Sequence, residues 1–215
     1  MIPKRIDPKN PSLGEIEFFK RISQEEDIPD WTILHSLNIA PNHHQTRIMG
    51  EIDFLVIIPN LGMIAIEIKA HREIKVEDGV WFLGKSDRGG SRSPFIQIKD
   101  SMFSLQKYIA DNNILLKEIP IFPLVIFTHY ELTLESVEFD RINYASSQEF
   151  RSGKLSDLLK KKIILAREAW FKKNSAQWLR ANPDRPDKSD ILNLIRLLRP
   201  NIELSNKVIN HSKII

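Results

Sequence analysis

Two apolar arms joined by a short turn constrain this chain more than any other feature. Asp53-Phe54-Leu55-Val56-Ile57-Ile58 leads through Pro59-Asn60-Leu61-Gly62 into Met63-Ile64-Ala65-Ile66-Glu67-Ile68-Lys69. Side chains alternate across a strand, so Met63, Ala65, Glu67 and Lys69 share one face and Ile64, Ile66 and Ile68 the other. Pairing across the turn brings Asp53, at the start of the first arm, beside Glu67, near the end of the second. Nearly every flanking residue is aliphatic, which predicts a sheet covered on both faces. A carboxylate in such a sheet is costly unless it is paired or holds a metal.

Two carboxylates converging at one strand end suit a hard divalent cation such as Mg²⁺, which takes oxygen ligands and commonly only one or two protein carboxylates. The backbone carbonyl of Ile68, between Glu67 and Lys69, is a further candidate ligand. The Lys69 ammonium, two residues from a ligand, is suited to holding an attacking water or stabilising charge on a phosphoryl oxygen. A Glu-x-Lys pair by itself is more often a solvated strand face; the aliphatic surroundings favour a site here.

Upstream, Ser12-Leu13-Gly14-Glu15 opens a helical run through Ile22. Ser12 with Glu15 three residues on fits a capping box, the structural reading of Glu15. Glu15 also lies on the apolar stripe of Phe19 and Ile22, which points it inward toward the site; both readings stand. Downstream, Pro94-Phe95-Ile96-Gln97 opens a helix to about Ala110, with Phe95, Ile98, Met102, Leu105 and Ile109 as its apolar stripe. Gln97 is either a solvated first-turn residue or a contact to water or phosphate.

Four segments in this order resemble the nuclease-related domain (NERD) family of the PD-(D/E)xK, restriction-endonuclease-like superfamily: Gly14-Glu15, Glu51-Ile52-Asp53, Gly62 through Lys69, and Pro94 through Gln97. The likeness covers roughly residues 12 to 130. It implies an α/β fold, a restriction-endonuclease-like core with a mixed central sheet flanked by helices, plus a helical C-terminal extension. It further implies a nuclease dependent on Mg²⁺ or Mn²⁺, acting on DNA with RNA left open. Asp53 and Glu67 would be metal ligands and Lys69 the catalytic lysine, assisting attack by a metal-held water. Glu15 and Gln97 would support or complete the site. None of these positions is substituted. The helical end resembles the connection that leads to a helicase in larger members, so a helicase domain or subunit is an expected partner. Bacterial DNA processing or defence and a homodimer are the matching context.

The composition contains no cysteine, which excludes disulfides, thiol catalysis and cysteine-bound zinc and suits a reducing cytoplasm. No apolar run reaches the length of a signal peptide core or a membrane span, so a soluble cytoplasmic protein without membrane contact is expected. Net charge is +3, but residues 1–150 carry 16 Lys/Arg against 22 Asp/Glu and residues 151–215 carry 15 against 6. That asymmetry suggests a nuclease core over 1–150 and a basic helical extension over 151–215. Lys154, Lys160, Lys161, Lys162, Arg167, Lys172, Lys173 and Arg180 recur along a helical pattern there, a candidate phosphate-binding face or simply a solvated one. A non-cleaving nucleic-acid-binding module using this basic end is the alternative to the nuclease.

Thr32 to Leu37 reads as a strand, Asp78-Gly79 as a tight turn between two short strands, and Phe122 to Phe127 as a buried strand. Strand, crossing helix and strand in succession predict a mixed sheet. Arg88 and Arg92, in the Gly/Ser/Arg-rich connection before Pro94, are candidates for backbone phosphate contact. His43-His44 reads as loop, because adjacent side chains on an extended chain diverge and no matching ligand set surrounds them. His71 reads as a strand-end residue.

Overall fold

A computed structural model describes residues 11–39, 50–85, 89–133, 136–172 and 183–200. Arg88, His43, His44, Lys173 and Arg180 lie outside the described residues. The chain opens with α1 (Leu13–Ser23), started by Ser12, whose hydroxyl accepts from the Glu15 amide while the Glu15 carboxylate accepts from the Ser12 amide. The expected capping box is therefore present. Strands β1 (Thr32–Ile39), β2 (Gly50–Ile58) and β3 (Gly62–Lys69) follow, then the small hairpin β4 (Ile74–Glu77) and β5 (Val80–Leu83). Asp78 and Gly79, at φ 49° and 77°, make the tight turn of that hairpin.

Helix α2 (Pro94–Asn112) crosses to β6 (Ile121–Phe127), and two residues of β7 (Tyr144–Ala145) complete the main sheet. The strand order is β1-β2-β3-β6-β7, antiparallel through β3 and parallel from β3 onward. The strand-helix-strand passage from β3 through α2 to β6 thus forms the parallel pair expected of a crossover. The C-terminal part contributes α3 (Ser147–Arg151), α4 (Leu155–Phe171) and α5 (Lys188–Leu198).

Both faces of the sheet are covered. Leu55, Ile57, Met63 and Ala65 pack with α2 residues Phe95, Ile98 and Leu105, with Trp81 of β5, and with Ile191, Leu194 and Leu198 of α5. On the other face Phe54, Val56, Ile64 and Ile66 pack with Phe18 and Ile22 of α1 and with Leu155, Leu159 and Ile163 of α4. The C-terminal helices thus share both cores with the sheet. The crowding explains Gly14: a Cβ there would come within 2.6 Å of Ile68 Cγ2, so glycine lets α1 lie against the end of β3. Among the described residues no helix is long and apolar enough to cross a membrane.

Candidate active site

The sheet is interrupted around Asp53. On one side the β1–β2 register runs from His35–Phe54 to Leu37–Ile52, passing over Ser36 and Asp53. Ser36 has φ 50°, a left-handed conformation rare for a residue with a Cβ. On the other side the β2–β3 register ends at Phe54–Ile66, one step short of Asp53 and Glu67. In place of the ladder, Asp53 Oδ2 accepts from the Ile68 amide at 2.7 Å. This bond ties the first carboxylate to the strand that carries the second.

Glu67 and Lys69 lie on one face of β3 as the alternation requires, and Lys69 Nζ donates to Glu67 Oε1 at 2.6 Å. Their side chains are 13% and 14% exposed, which leaves the pair largely desolvated. Burial raises the Asp53 carboxyl well above its usual range, and the Glu67 charge raises it further against the pull of the Ile68 amide. Glu67 is likewise raised by burial, with the Lys69 ammonium opposing and Glu51 and Glu15 repelling. At both carboxyls burial and neighbouring carboxylates therefore outweigh the single lysine.

Glu15 joins from α1 by a different route. Its Oε1 accepts from the Ser12 amide at 2.9 Å, and its Oε2 lies 3.2 Å from His35 Nε2. A carboxylate only accepts, so Nε2 carries the proton. Burial raises the Glu15 carboxyl, but the His35 and Ser12 hydrogen bonds outweigh it and the net shift is downward. Both readings of Glu15 are realised at once: it caps α1, and its charge is felt at Asp53 and Glu67.

Three residues here carried no signal that the sequence reading used. His35, 2% exposed, packs its ring 4.7 Å from Phe54 and holds Glu15. Ser36 makes the kink opposite Asp53. Arg199, just beyond α5, donates to the carbonyls of His35 and Ser36 at 2.7 and 2.6 Å, tying the far end of the chain to that kink. On α2, Gln97 Oε1 is buried with no hydrogen-bond partner among the described residues.

This donor set fits a hard cation. Among the described residues no group of three or more His, Cys, Asp or Glu gathers to hold a metal; Mg²⁺ commonly takes only one or two protein carboxylates. Asp53 gives one oxygen to the Ile68 amide and Glu67 one to Lys69, and a dication beside them would offset the Glu67 charge that raises Asp53. The orphaned Gln97 Oε1 is an acceptor suited to a bound water.

The other candidate residues separate. Arg92 is exposed and ion-paired with Asp100. Lys161 is exposed, and the Lys160 ammonium lies 5.6 Å over the Trp31 ring. Lys162 departs from the expected outward basic face. It is 5% exposed, donates to the Arg141 carbonyl at 3.0 Å and lies 3.4 Å from Glu149. Leu155, Leu159 and Ile163 share its side of α4, so the stripe that buries them buries it. Arg167 is likewise inside, bonded to the carbonyls of Leu61 and Pro183.

The chain is thus an α/β domain with two carboxylates and a lysine gathered where β2 and β3 part. Residues 11–128 match the family described as the nuclease-related domain, NERD. That match covers more than half of the chain, and the chain belongs to this family. Among curated proteins and solved structures nothing matches it.

Proposed function

We propose that the protein is a Mg²⁺- or Mn²⁺-dependent nuclease that hydrolyses phosphodiester bonds in DNA at the Asp53–Glu67–Lys69 cluster. The observation that carries this reading is the break in the sheet at Asp53, where the carboxylate bonds the Ile68 amide beside the Glu67–Lys69 pair. A bound dication would neutralise charge developing on the phosphoryl group and lower the pKa of a water. Asp53 and Glu67 would hold such an ion, with the Ile68 carbonyl as a further oxygen ligand. Lys69 Nζ, anchored on Glu67, keeps its other protons for the water or a phosphoryl oxygen. Gln97 Oε1, a buried acceptor, would orient such a water by accepting one of its protons. Glu15, fixed by Ser12 and His35, adds negative potential from the second face.

The rival reading, a binding module using the basic helical end, is weakened because Lys162 and Arg167 are consumed inside the fold. Cleavage of labelled DNA in Mg²⁺, Mn²⁺ or EDTA tests the proposal. Metal-dependent cutting by the wild type, lost in Asp53→Ala and Glu67→Ala with the fold retained, supports it. Equal cutting by all three sinks it.

A further inference from the structure

Strands β3 and β6 run parallel, so both end at the same edge of the sheet, and the Thr128 amide donates to the Lys69 carbonyl at 3.0 Å there. In open α/β sheets this carboxyl edge is where ligands bind. The chain leaving β3 passes through Arg72 into the β4–β5 hairpin, and the chain leaving β6 passes through Tyr130. Between them lies a cleft of about 410 Å³, lined by Arg72, Lys75, Lys85, Phe82 and Tyr130 together with Glu73 and Glu77. Its floor begins three residues beyond Lys69.

We propose that this cleft binds single-stranded nucleic acid and leads the strand to the Asp53–Glu67–Lys69 cluster; the proposal rests on the nuclease reading of that cluster. The chemistry of the walls selects the ligand class. Cations that follow a phosphate backbone, with aromatic rings on which bases stack, are the shared equipment of single-strand binding surfaces. Phe82 and Tyr130 are half-buried, which fixes each ring while leaving part of it open. A duplex keeps its base faces inside the stack and offers such rings nothing, whereas an unpaired strand exposes them. The volume suits a nucleotide-sized group and is far too small for a double helix.

The acidic residues of the cleft do not block this use. Glu73 lies 3.1 Å from Lys85 and Glu77 2.5 Å from Lys75, but all four side chains are more than half exposed. Exposed pairs of this kind contribute little and exchange readily for a phosphate. Arg72 is exposed and makes no ion pair among the described residues.

The test is fluorescence anisotropy of a labelled oligothymidylate and of a duplex of equal length, in EDTA so that cutting does not enter. It uses the full chain as wild type, Tyr130→Ala, Phe82→Ala and Arg72→Gln. The single strand should bind tighter than the duplex. Removing one aromatic ring should weaken single-strand binding about 5- to 100-fold. Arg72→Gln should reduce the salt slope by about 0.7. Should Phe82→Ala lose its circular dichroism signal, Arg72→Gln at an exposed position carries the test. Equal affinity for strand and duplex, or affinities unchanged in both Tyr130→Ala and Arg72→Gln, overturns the proposal. Metal-dependent cutting with those unchanged affinities would leave the nuclease standing without the groove. Weakened binding in the variants with no cutting by the wild type would leave the groove without the nuclease.

Discussion

The carboxyl edge of the central sheet and the C-terminal helices both carry charge into partly buried ground, and they treat it in opposite ways. At the sheet edge burial raises both Asp53 and Glu67, the Glu67 charge raises Asp53 further, Glu15 repels both, and Lys69 opposes the shifts. In the C-terminal part three charged groups among the described residues each meet a partner. Lys162 meets Glu149 and a carbonyl, Arg167 meets two carbonyls, and Arg185 forks onto both oxygens of Asp190 at 2.9 and 2.6 Å. Matched charges hold helices in place. Carboxyls held against their own ionisation are the grouping on which the proposed nuclease site rests.

The largest effect should come from Lys69→Ala. Cleavage is expected to fall about 10²- to 10⁴-fold, the usual loss of a positioned proton-handling group, with the fold retained by circular dichroism. A large fall in the midpoint alongside activity would break the comparison, because Lys69 would then be a structural cation like Lys162. The converse holds for Lys162→Ala. Stripping the partner from Glu149 and the Arg141 carbonyl should cost about 2–4 kcal/mol in urea unfolding and leave the salt dependence of DNA binding unchanged.

Arg199→Ala probes where the two regions meet. Loss of its bonds to His35 and Ser36 should cost about 1.5–3 kcal/mol of stability. Because Ser36 stands opposite Asp53, kcat should fall with KM unaltered; an unchanged kcat would confine Arg199 to packing. Asp53→Asn sharpens the electrostatic side. A carboxyl raised in the folded state favours folding while protonated, and that contribution is lost as pH rises through its elevated pKa. In EDTA the wild type should therefore lose stability with rising pH in that window, and Asp53→Asn should lose less, as thermal melts across the range will show. Lys161→Glu, at an exposed position, should stay within about 0.5 kcal/mol of the wild type.

The hairpin, its buried faces and the Asp53–Glu67–Lys69 grouping were legible because period-two alternation and a four-residue turn leave one register that buries the isoleucines. The capping box was legible for the same local reason. His35, Ser36 and Arg199 were not. A lone histidine in an aliphatic strand looks like core, a serine at positive φ has no compositional mark, and Arg199 reaches the carbonyls it binds from more than 160 residues along the chain. Lys162 misled in another way. The run Lys160-Lys161-Lys162 looks solvated, but the spacing from Leu155 and Leu158 places its third member on the buried stripe of α4.

The central claim is tested most directly by incubating labelled single-stranded and duplex DNA with wild type and Lys69→Ala, each in Mg²⁺, Mn²⁺ and EDTA. The account predicts cleavage by the wild type in metal, none in EDTA, and near-complete loss in the variant with its fold retained. Cutting that survives EDTA, or that Lys69→Ala performs as well as the wild type, would contradict it.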